Sequence, residues 1–312
     1  MNACLPTFHR PARHANLRTG AHVALMVAAV AAAVVVAACG STVPSSSPVA
    51  SPSPTSSPTR DPSAIDHATG PTDVVFRFEQ GGGFVPVDFF ATQAPQFTLF
   101  GDGTVIFRDN SLPVPAQPNP NISSLAPFQI AHLDEAGMQT FLRFALADSG
   151  LGVARASYRP GNVADAPTST FTIKAGGLAK TVSVEGLGFD LPESPDAAIL
   201  QALGRLGEQV SSFGSVVQGE TVWTPTRWRG VLTANATNPS IAWPWPAIAP
   251  AEFVQHPGDT APQFPIRTMT PDEVAAIGLT GIDGGFSGLG LSGPDGKGYT
   301  FALRPIFPDE SF

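Results

Sequence analysis

Of the 312 residues, 43% are hydrophobic and 13% charged, enough apolar material for a packed core, so disorder throughout is excluded. Acidic residues number 25 against 17 basic, a formal charge of −8, which argues against nucleic acid as a partner and against electrostatic adhesion to anionic lipid. The chain is also rich in glycine (31) and proline (32), which with its Val, Phe and Thr content points to strands and loops.

Residues 1–20 carry Arg10, Arg13 and Arg18 and no acid, and an apolar Ala/Val run follows as far as Ala38. This is the pattern of an export leader, a basic segment and then a hydrophobic one. The run is slightly shorter than the roughly 20 residues that span a bilayer. It ends in Val36-Ala37-Ala38-Cys39-Gly40, which resembles the bacterial lipobox. In that motif Val36, Ala37 and Ala38 are the signal-peptidase recognition residues, because small side chains let the enzyme hold an extended backbone closely. The Cys39 thiol takes a diacylglyceryl group as a thioether, and cleavage then frees its amine. The resemblance implies a lipoprotein signal peptide over 1–38 and a mature chain on the extracytoplasmic face of the cell membrane. Loss of three arginines lowers the basic count from 17 to 14 and moves the formal charge from −8 to −11. Attachment then falls to the acyl chains, at about 0.8 kcal/mol per buried methylene. Cys4 lies in the leader, so Cys39 is the mature chain's sole thiol and no internal disulfide is expected.

Residues 39–72 read as a lipidated cysteine followed by a disordered Ser/Pro/Thr tether, with proline biasing it to an extended form of about 3.1 Å per residue. A globular domain is expected over 73–312. It opens on the strand Asp73-Val74-Val75-Phe76-Arg77-Phe78, and a hairpin follows with Gly101-Asp102-Gly103 at its turn. Asp134 is placed to cap a helix whose Met138, Phe141, Leu142, Ala145 and Leu146 share one face. A second hairpin turns at Ala175-Gly176-Gly177, and a second helix presents Ile199, Leu203, Leu206, Val210 and Phe213. Beyond a sub-boundary near 219 the texture changes to short extended pieces. Thr270-Pro271-Asp272-Glu273 forms a capping box there, and a last hairpin turns through Pro294-Asp295-Gly296.

Hairpin, helix, hairpin, helix predicts an α+β fold, an antiparallel sheet with two main helices packed on one face and a loop-rich C-terminal part; that part either adds strands to the sheet, which its few aliphatic residues favour, or forms a small subdomain. From the first strand through the second helix, and in the closing Tyr-Thr-Phe-Ala-Leu-Arg-Pro run, the chain looks like uncharacterised lipoproteins of actinobacteria and their GC-rich relatives. That resemblance carries no assigned activity.

Candidate chemistry is sparse. Gly288-Leu289-Gly290-Leu291-Ser292-Gly293 fits G-x-G-x-x-G, but a turn and a strand follow where a dinucleotide site needs a helix. Ser287 lies in a sequence that misses the nucleophile elbow at its last position. His67, His132 and His256 share no ligand spacing, so neither a metal nor a histidine-based triad is expected, and no cofactor is implied. Asp102 and Asp295 sit in glycine turns, and Asp283 lacks the spaced oxygen ligands of a calcium loop. Trp223, Trp228, Trp243 and Trp245 fall in one short segment, a candidate stacking surface for sugar or Pro-rich peptide, or the cover of a core edge. The expectation is a non-catalytic binding or interaction module at the cell envelope, with cell-wall glycan or another envelope protein as partner. The alternative is an envelope hydrolase using a carboxylate pair brought together by folding.

Overall fold

The computed structural model describes residues 63–83, 85, 90, 92–159, 165–189, 194–234, 236, 241–255 and 264–311. They belong to one compact unit, Thr59–Phe312. Cys39, the residues before it and His256 lie outside the described residues.

Alternation in the first long strand sets the geometry of everything around it. In β1 (Val74–Gly82), Phe76 and Phe78 are buried on one face while Arg77 and Glu79 turn to the other. On one side β1 pairs with β2 (Phe97–Phe100), which leads through the expected glycine turn into β3 (Thr104–Arg108) and on to β5 (Phe128–His132) and β9 (Thr221–Val222). On the other side it pairs with β7 (Pro167–Ala175), then β8 (Leu178–Glu185) and, in parallel, β6 (Ser157–Tyr158). Gly176 and Gly177 turn the β7–β8 hairpin with both φ angles positive.

Helices α1 (Glu135–Arg143) and α2 (Ala197–Ser211) cover the Phe76–Phe78 face. Asp134 caps α1 by accepting from the Gly137 N–H at 2.8 Å. Phe141 meets Phe76 edge-on at 5.0 Å between ring centroids, and Phe213, just beyond α2, meets Phe97 in the same way at 5.0 Å. Packing begins ahead of Asp73: Ile65 exchanges backbone hydrogen bonds with the Gln139 side chain, and Gly176 donates to the Asp66 carbonyl.

The C-terminal part corrects the expected fold. It adds to the first sheet only the two-residue β9 and builds a second sheet from β10 (Trp228–Ala234), β11 (Ile241–Ala242), β12 (Ile266–Met269), β13 (Phe286–Ser292) and β14 (Gly298–Pro305), ordered β11-β13-β14-β10-β12. The short β4 (Ser123–Ser124), from the first half of the chain, pairs with β13. Among the described residues there are 14 strands and three α-helices, the third being the five-residue Pro271–Ala275, so the protein is sheet-rich with minor helices and not α+β. The reason is a second apolar cluster of mixed aromatic and aliphatic side chains. Trp228, Trp245, Phe253, Phe286 and Phe301 supply large rings, each removing about 150–250 Å² from water, and they are buried among Leu232, Ile248, Met269, Val274, Ile277, Ile282, Leu289, Leu291 and Leu303 in a second core that also takes in Ile122. Gly230 on β10 makes room for them, since a Cβ there would stand 2.5 Å from Met269 Sδ and 2.9 Å from Phe301 Cε2.

The first sheet's other face meets the C-terminal chain. Phe307 is fully buried against Phe100, Ile106 and Phe128. Arg77 pairs with Asp309 at 2.7 Å, and Arg304 grips Glu310 through two nitrogens at 2.8 and 2.7 Å. Arg304 stands directly opposite Arg229 across β10 and β14, and Glu310 offsets that like-charge pairing.

Candidate functional site

Most side chains singled out from the sequence are committed to structure. The Asp102 carboxylate accepts from Thr104 N–H at 2.9 Å inside its own turn. Asp295 accepts from Lys297 N–H and from the Tyr299 hydroxyl at 2.7 Å, and the Tyr299 bond holds its carboxyl below the usual range. His67 lies against the Ala68 carbonyl and Glu135, while Asp283 and His132 are exposed. Gly288, Gly290 and Ser287 belong to β13, which runs through a turn into β14, so no helix N-terminus follows the glycines. Among the described residues no group of three or more His, Cys, Asp or Glu could hold a metal, and no helix is long and apolar enough to cross a membrane.

The four indoles do not share a platform. Trp228 and Trp245 are 5% and 3% exposed. Trp243 and Trp245 meet edge to face at 5.1 Å, with Trp243 Nε1–H donating to the Trp245 and Ile248 carbonyls and Trp245 Nε1–H to Glu273 O. Trp223 is remote from them and caps the seam against Phe128 and Phe307. Trp228 and Trp245 belong to the second core, while Trp243 and Trp223 are half-buried and pack against separate apolar clusters.

The structure brings forward a different site, which the sequence reading passed over. Glu79 and Gly81 on β1, Thr168 and Thr170 on β7, and Gln93 and Ala94 before β2 line a cleft of about 400 Å³. Register puts the side chains together: Glu79 is opposite Thr170 and Gly81 opposite Thr168, on the face that carries Arg77. Gly81 lets the Gln93 amide lie close over the strand, since a Cβ would stand 2.6 and 2.7 Å from its oxygen and nitrogen and push that flexible side-chain end aside. Gly82 and Gly83, with φ of +76° and +82°, turn the chain out of the strand. Burial pushes the Glu79 carboxyl above its ordinary range; Arg77 and Arg304 pull it down, and Glu310 and Asp309 push it up. Gln93 Nε2 is buried without a hydrogen-bond partner. The sequence signal was present in the period-2 alternation Phe-Arg-Phe-Glu and in the Gly81-Gly82-Gly83 run, a mark of close backbone approach. What it lacked was Gln93, which only the fold brings to β1. A larger groove, about 770 Å³, follows α2 between Phe78, Leu187 and Phe189, with Gly204 and Gly207 on its helix wall.

Comparison with known proteins gives no relative: no family model, no curated protein and no solved structure matches the chain.

Proposed function

We propose that the chain is an extracytoplasmic lipoprotein, held to the membrane through diacylglyceryl on Cys39, whose globular part is a non-catalytic binding module at the cell envelope. The anchor rests on Val36-Ala37-Ala38-Cys39 and the Pro/Ser/Thr stretch after it, which sets a domain at a distance from its point of attachment. One observation favours binding over hydrolysis. Among the described residues, the carboxylates beside the Glu79 cleft are engaged with cations, Asp309 with Arg77, Glu310 with Arg304 and, at 3.6 Å, Glu185 with Arg159, and Glu79 is the one carboxylate that lines it. A glycosidase-like pair needs two such groups about 5–9.5 Å apart across a scissile bond, free to exchange protons.

Expression of the full chain in a bacterial host, with membrane fractionation and mass spectrometry of the N-terminal peptide, tests the anchor. The wild type is expected in the membrane fraction with lipid on Cys39, and Cys39→Ser released or mislocalised. A Cys39→Ser chain still cleaved and still membrane-bound would sink the reading. Turnover of an envelope glycan that Glu79→Gln abolishes would put hydrolysis in place of binding.

A further inference from the structure

We infer that the Glu79 cleft is a subsite for a neutral polyhydroxylated ligand, a sugar unit of an envelope glycan; this rests on the binding-module reading above and names its ligand class. The cleft sits at the edge of a hydroxyl-bearing sheet face. On the side of the first sheet away from the helices, Thr168, Thr170 and Thr172 of β7 stand opposite Glu185, Ser183 and Thr181 of β8, half-buried or exposed. Two of these pairs hydrogen-bond across the strands, Thr172 Oγ1 to Thr181 Oγ1 at 3.2 Å and Thr170 Oγ1 to Ser183 Oγ at 3.4 Å. Such hydroxyls keep lone pairs and rotatable protons for a ligand.

The cleft combines two unmet demands of opposite kind. The buried Gln93 Nε2 wants an acceptor, and a buried donor left bare costs the full desolvation of that group. The Glu79 carboxylate, taken out of water, wants a donor. A cation would meet only the second demand and an anion only the first. A vicinal diol meets both, because each hydroxyl donates and accepts, and Thr168 and Thr170 adapt to either role. A volume of about 400 Å³ lies in the lower part of the range for small-molecule sites, which suits a sugar unit rather than an extended cofactor. Among the described residues lining the Glu79 cleft none is aromatic, so the contacts they offer a ligand are hydrogen bonds, and affinity for one unit is modest, gaining from repetition along a chain.

The test uses the processed full chain in detergent micelles, titrated by calorimetry and by ¹⁵N amide shifts with chitohexaose, mannohexaose and cellohexaose as neutral probes, and polygalacturonate and hexalysine as charged ones. At least one neutral hexasaccharide is expected to bind, shifting amides of β1 and β7 around 79–82 and 168–170. Gln93→Leu and Thr170→Val are each expected to weaken it about tenfold, Thr170→Val with thermal unfolding little changed and Gln93→Leu with thermal unfolding unchanged or raised, since it removes the bare donor. Gly81→Ala is expected to do the same, since its methyl displaces only the flexible Gln93 amide. Silence from all three neutral probes, or binding that none of the three substitutions alters, overturns the inference. Binding of hexalysine or polygalacturonate at this cleft also overturns it while leaving the binding-module reading standing. Glycan turnover lost in Glu79→Gln would instead bring down that reading itself.

Discussion

Glu79 and Glu310 share one ionic patch, with Arg77, Arg304 and Asp309 around them, and respond to it with opposite sign. At Glu79 desolvation outweighs the two guanidinium groups, so folding favours the neutral acid. The stability linked to that group is full below the unfolded carboxylate range and is lost as pH rises through the raised folded value. Glu79→Gln is therefore expected to raise the melting temperature at pH 7, with the gain fading below about pH 4. At Glu310 burial acts in the same raising direction, but the Arg304 hydrogen bonds and charge and the Phe307 N–H at 2.8 Å outweigh it, so its carboxyl is held low. Its contribution is present above the unfolded range and lost as pH falls through the lowered value. Glu310→Gln should lower the melting temperature at pH 7 and do progressively less in acid. Circular-dichroism melts from pH 3 to 8 check both; curves moving in the same direction would contradict the assignment. Arg108 shows burial acting on a cation: it donates to the Ala126 and Gly284 carbonyls, lies over the Phe128 ring, and is pushed down to about 10.

At the scale of elements, α2 carries two glycines of different worth. At Gly204 a Cβ would meet nothing within 4 Å, so the glycine only loosens the helix, and Gly204→Ala is expected to stabilise by about 0.5–1 kcal/mol in urea denaturation. At Gly207 the added methyl would stand 3.1 Å from Leu187 and 3.7 Å from Phe171, where the helix lies close to the sheet. The closing segment after β14 is the other decisive element, because Phe307 fills the seam between Phe128 and Trp223 at 5.1 and 5.2 Å between ring centroids. Phe307→Ala is expected to cost about 3–5 kcal/mol and to change the emission of Trp223. A loss below roughly 1 kcal/mol would mean that the seam collapses around the cavity.

For the whole molecule, what could be read in advance was what is local. The Asp134 cap, the Thr270–Glu273 capping box and the glycine turns of both first-sheet hairpins depend on neighbours within a few residues and are found where their sequence signals lie; the two helical stripes are found too, but Ala145 and Leu146 fall in a π-helical turn after α1 and Phe213 in a 3-10 turn after α2. The second sheet depends on distant pairings: β10 must find β14 some 70 residues on, and Ser123–Ser124 must cross from the first half to β13. Its core side chains come from short, widely spaced segments, so no one of them carries the cluster in its local sequence. The candidate site fared the same way, since the Glu79 face was visible in β1 while Gln93, Thr168 and Thr170 join it only through register and loop placement. The Arg77–Asp309 contact makes that dependence on distance a matter of timing, for it joins residues 232 apart. Chain synthesis is directional, so the Phe100, Ile106 and Phe128 face of the first sheet waits uncovered until Phe307 and Asp309 have been made. Throughout that interval the nascent chain presents an apolar wall prone to aggregation, and burying it waits on the segment that carries Phe307 and Asp309.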